Sequence, residues 1–117
     1  MDIYDRVFEF ACRVIQMDRS LQGKRIVNRN VMNQLVRSAT GIGSNLEEAK
    51  AGQSKADFHA KLRISLKEAR ESHYWLRLLL ATRSLSSRRL EPLVNEANEL
   101  VAILTTIAKK ANPKTIS

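Results

Sequence analysis

Ile3, Val7, Phe10, Val14, Met17 and Leu21 follow one another at alternating four- and three-residue steps, which places them on one stripe of a helix. The rhythm recurs. Val31, Leu35, Ser38, Ile42, Leu46 and Ala49 make a second stripe, and Leu90, Leu93, Val94, Ala97, Leu100, Val101, Leu104 and Ile107 a fourth. Between them, a third segment carries apolar residues around most of its circumference. Only four glycines and two prolines interrupt the chain, and no Asn-Gly or Asp-Gly sits between alternating apolar runs, so hairpins have little to form on. The pattern predicts an all-α protein, and 117 residues suffice to bury a core without metals or disulfides.

The helices are expected over residues 2–21, 29–51, 55–81 and 88–110 of a single domain spanning 1–117. Asp2 and Asp5 suit the positive end of the first helix. Gly23 is a candidate left-handed cap, and Asn28 or Asn30 can cap the second helix. Gly52 stops that helix, and Ser54 with Asp57 resembles a capping box opening the third. Pro92 fits only a first turn, which argues for a fourth helix starting two or three residues after Ser87. Residues 112–117 read as a frayed tail. Four amphipathic helices joined by short turns pack most simply as an up-down-up-down antiparallel four-helix bundle.

Small residues crowd the second helix: Ser38, Ala39, Gly41, Gly43 and Ser44. Each glycine in a helix interior costs about 1 kcal/mol against alanine. Close approach of a neighbouring backbone is the expected compensation, and Asn45 is expected to make a buried interhelical hydrogen bond.

The third helix is the most diagnostic. At about 100° per residue, Arg63, Lys67, Arg70, Tyr74 and Arg77 fall within about 80° of one another, with His59 at the edge of the arc. Phe58, Leu62, Leu66, Ala69, Leu76 and Leu80 occupy one flank, and Ile64, Trp75 and Leu78 the other. So broad an apolar arc predicts cover on both flanks, one by the bundle and one by another subunit through Ile64, Trp75 and Leu78. Glu68 and Glu71 lie within the second flank and are expected to find cationic or hydrogen-bonding partners on a facing helix.

The net charge of +8 is concentrated. Residues 54–90 hold nine Lys and Arg against three Asp and Glu, compared with eight against six before them and three against three after. A localised basic surface points to nucleic acid or another polyanion. No apolar run approaches the ~20 residues of a membrane span, and the first residues lack the pattern of a secretory signal. A soluble cytoplasmic protein without a membrane partner is expected. The lone Cys12, beside Phe8, Ala11 and Ile15, reads as a small buried hydrophobe.

The chemistry of a catalyst is not apparent. The residues three before His59 and His73 are Ala56 and Arg70, so the Glu-x-x-His pairs of carboxylate-bridged metal bundles are missing. Two histidines and one cysteine make no zinc set. Gly41-Ile42-Gly43 lacks the third glycine of a dinucleotide site and lies in a helical pattern. Glu47-Glu48 and Glu68 with Glu71 are read as structural ion pairs with Arg37, Arg70 or Arg77. No enzyme activity, metal or cofactor is expected.

Gln34-Leu35-Val36-Arg37-Ser38-Ala39-Thr40-Gly41-Ile42-Gly43-Ser44-Asn45-Leu46-Glu47-Glu48-Ala49, with Asp57-Phe58, Leu62 to Glu71 and Tyr74-Trp75-Leu76, resembles the four helix bundle protein family. Its members were first associated with intervening sequences in bacterial 23S ribosomal RNA genes. The Ala-Glu-Gly run that often follows the Asn-Ile of helix two in the family is altered here to Leu46-Glu47-Glu48-Ala49, with the glycine delayed to Gly52. The resemblance implies a closed bundle, homopentameric rings in some members, and no established catalysis. The accessory variability protein of diversity-generating retroelements is a more distant likeness and implies a nucleic-acid partner. Two functions follow as expectations. One is a homo-oligomeric scaffold binding RNA or DNA through Arg63, Lys67, Arg70, Tyr74 and Arg77. The other is a protein-interaction adaptor that uses Ile64, Trp75 and Leu78 on a heterologous partner.

Overall fold

The computed structural model describes residues 1–25 and 27–114. Four helices account for most of them: α1 (Ile3–Ser20), α2 (Arg29–Lys50), α3 (Lys55–Ala81) and α4 (Ser87–Ala111). Each starts behind a side chain that accepts from an otherwise unpaired backbone N–H. Asp2 accepts from Asp5, Asn28 from Val31, Ser54 from Asp57, and Ser86 from Arg89. Gly23 adopts φ +78° after α1, a conformation only glycine enters without strain. Residues 115–117 of the expected tail lie outside the described residues.

Helix four differs from the expectation based on Pro92. It begins at Ser87, so Pro92 sits in its second turn, where the ring crowds the carbonyl four residues earlier. Ser86 compensates by capping the first turn with both its carbonyl and its hydroxyl.

The helices run up, down, up and down, each packed on its neighbours in sequence, with α1 against α4 closing the bundle. The molecule measures 50 × 25 × 21 Å. Phe10, Met32, Leu35, Ile42, Leu46, Leu62, Leu76, Leu79, Leu90, Leu100 and Leu104 fill its axis. Arg6 ties α1 to α4, donating to both carboxylate oxygens of Glu96 and to Glu99. Hydrogen bonding to Glu96 is the main reason its guanidinium is held above its ordinary pKa.

The α2–α3 seam is where the small residues act, and there the structure corrects two expectations. The atoms nearest the space beside Gly41 and Gly43 belong to side chains rather than to a neighbouring backbone. A Cβ on Gly41 would meet Glu68, and one on Gly43 would meet Val7 of α1. Asn45 bonds within its own helix, its Nδ2 donating to the Gly41 carbonyl at 2.8 Å. The buried interhelical hydrogen bonds come instead from serines: Ser65 donates to the Ile42 carbonyl at 2.7 Å, and the Ser38 and Ser72 hydroxyls pair at 2.8 Å. Among the described residues no helix is long and apolar enough to cross a membrane.

Candidate nucleic-acid interface

Helix α3 sorts its charges by side. Glu68 and Glu71 face α2, where Arg37 meets both, Nη2 lying 3.1 Å from Glu71 and Nη1 3.8 Å from Glu68. Glu68 is only 8% exposed, and its Oε2 has no hydrogen-bond partner among the described residues. Burial is the chief cause of its raised pKa, the Glu71 charge adds to it, and Arg37 and Lys67 oppose it. A cation on a facing helix was anticipated for these acids, and Arg37 is that cation.

The adjoining face of α3 is basic. Arg63, Lys67, Arg70, Tyr74 and Arg77 are all exposed, and none of the four cations has an acid partner among the described residues. Tyr74 is 50% exposed and meets Trp75 edge-on, ring centroids 5.0 Å apart. His73 is half-buried, and burial, followed by the charge of Arg77, lowers its pKa.

Part of the broad apolar arc is covered within the chain. The flank that carries Ile64, Trp75 and Leu78 is shared with Glu68 and Glu71, and so with the α2 side. Trp75 and Leu78 are half-buried, and Trp75 packs against the core with its Nε1 sealed and without a hydrogen-bond partner among the described residues. Ile64 alone of the three is left open, at 41%.

Two features escaped the sequence. The first is an apolar groove of about 380 Å³ between α1 and α2, lined by Tyr4, Val7, Phe8, Ala11, Cys12, Ile15, Thr40, Gly43, Ser44 and Glu47. Phe8 is 72% exposed and Ile15 38%. Cys12 is thus half-buried on a groove wall rather than a core residue. Its four-residue spacing from Phe8, and the seven residues from Phe8 to Ile15, were a visible signal of a second apolar stripe. The second feature is a set of side chains at the end of α4, Lys109 and the following Asn112 among them, that lie beside Arg63 and Arg70. Only the antiparallel pairing of α3 with α4 brings these together.

The model of the family described as 23S rRNA-intervening sequence protein matches residues 1–106. The chain belongs to this family. Among solved structures, this family member is similar to a protein of unknown function from the S23 ribosomal protein family of Bacteroides thetaiotaomicron. The two share 37% identity and a TM-score of 0.85 over 92% of this chain and 99% of the other. No curated protein matches the chain.

Proposed function

We propose that this protein is a non-enzymatic, homo-oligomeric cytoplasmic scaffold that binds RNA or DNA through the basic face of α3. One observation carries the reading. Glu68 and Glu71 of α3 are turned toward α2 and offset by Arg37, whereas Arg63, Lys67, Arg70 and Arg77 stand exposed without acid partners among the described residues. Exposed cations of one sign along one helix neutralise phosphates, and Tyr74 offers a π-face to a base. The reading assigns no reaction. The buried hydroxyls of Ser38, Ser65 and Ser72 are committed to backbone carbonyls or to each other, so they serve the fold.

A gel-shift titration at low salt with duplex, single-stranded and structured RNA tests it. Binding should weaken with salt, the logarithm of affinity falling with log salt by roughly 0.9 per phosphate contacted on a duplex. Arg63→Glu with Lys67→Glu should abolish the shift. Absence of binding to all three probes, or undiminished binding by the double variant, rejects the reading.

The exposed groove of Phe8 and Ile15 favours a protein contact as well, and self-association is the form of it we infer. Light scattering separates this from the adaptor reading, in which the isolated protein is a monomer that binds another protein and no nucleic acid.

A further inference from the structure

Near the start of α3 and the end of α4, two hollows of about 220 and 450 Å³ adjoin, sharing His59, Arg63 and Asn112. Together they form one trough. Arg63 and Arg70 stand on its α3 wall, Lys109 lies on its α4 wall, and Lys114 lies just past the helix end. Leu66 and Ala108 supply an apolar floor. No acid lines either hollow, and none of these four cations has an ion-pair partner among the described residues.

We propose that this trough holds the sugar-phosphate chain of a single nucleic-acid strand, with Lys109 and Lys114 completing a site of which α3 provides only half. The proposal rests on the reading that the basic face binds nucleic acid, and specifies where and in what form. Cations converging from two walls over a low-dielectric floor focus a positive potential into the cleft. Helices whose axes lie about 8–10 Å apart touch along their length and leave only a narrow surface groove over the seam, which one backbone can follow, whereas a duplex would touch only its lips. Tyr74 stands one helical turn beyond Arg70, about 6 Å along the axis, where a base of the same strand can stack on it. From Arg63 to Arg77 the cations extend roughly 21 Å, a linear array suited to a polymer rather than a single anion.

The test is fluorescence anisotropy with a labelled oligouridylate and a duplex of equal length, over a salt series, for the parent, Lys109→Ala/Lys114→Ala and Lys110→Ala. Lys110 is exposed on α4 but lines neither hollow. The parent should bind the single strand more tightly than the duplex. The double variant should lower the salt slope by about 0.7 for each lost phosphate contact, which makes it about 25-fold weaker at 0.1 M salt and equal to the parent near 1 M. Lys110→Ala should follow the parent. If the parent binds neither probe, the underlying reading falls and the trough with it. If the parent binds but the double variant matches it, the reading stands and the trough is wrong. Preference for the duplex, or equally tight binding of polyglutamate of matching charge, also overturns the proposal.

Discussion

Gly41 leaves the space that the carboxyl group of Glu68 occupies: a Cβ there would lie 2.9 Å from Oε2 and 3.2 Å from Cγ and Cδ. Alanine at this position should gain about 1 kcal/mol of helix propensity, and that gain is opposed by the buried side chain it displaces. The carboxyl group ends a flexible chain, so it should swing outward toward Arg37 and water, and Gly41→Ala alone should be close to neutral. In a Glu68→Ala background the obstacle is gone, and the same substitution should stabilise by about 1 kcal/mol. Chemical denaturation of the four proteins in this cycle measures the coupling. A coupling below about 0.5 kcal/mol would mean that the two residues act independently.

Glu68 and His73 give the protein opposite responses to acid. Burial, reinforced by Glu71, holds the Glu68 pKa above the ordinary 4.5, so the folded state favours its protonated form. That stabilisation is complete below 4.5 and is lost as pH rises through the folded value. Burial, and then Arg77, hold His73 below 6.5, so its contribution is present above 6.5 and is lost as pH falls through the folded value. Glu68→Gln should therefore raise the thermal midpoint at pH 7, and the gain should vanish near about pH 4. His73→Gln should flatten the loss of stability between about pH 7 and 5. A lower midpoint for Glu68→Gln at pH 7 would mean that attraction to Arg37 outweighs burial.

The helices and their inward stripes were legible in the sequence because local rules suffice for them. Heptad-like spacing gives the buried face, and Asp2, Asn28 and Ser54 satisfy the first turns of α1 to α3, whereas Ser86, the cap of α4, went unread because Pro92 pointed to a later start. What else went unread depends on which helix sits beside which. Lys109 reads alone as a complement to a helix dipole and gains its other meaning only next to Arg63. Gly41 signals close packing without saying that a carboxylate does the packing. Phe8 and Ile15 look like core on periodicity alone, since a stripe left open has the same spacing as one that is covered.

Tyr74 is braced by Trp75, the chain's single tryptophan, which gives base stacking an intrinsic optical signal. Oligouridylate should change the Trp75 emission of the parent. Tyr74→Ala should weaken binding by about 1–3 kcal/mol if one base stacks there, and Tyr74→Phe should keep most of the affinity because the ring face is retained. Equal binding by the alanine and phenylalanine variants would remove Tyr74 from the site.

Phe8 separates stability from assembly. At 72% exposure it has little burial to lose within the bundle, so Phe8→Ser should change folding stability by no more than about 0.5 kcal/mol. Burial of the same ring in a neighbouring copy would contribute about 1.5–3 kcal/mol to each contact, equivalent to about 10- to 150-fold in its dissociation constant. With Ile15→Ser on the same groove wall, the double variant should therefore run at the monomer mass by light scattering, at concentrations where the parent is larger. Ile64→Ser provides the comparison on α3. Loss of assembly with Ile64→Ser but not with the Phe8 and Ile15 pair would move the interface from the α1–α2 groove to the flank of α3.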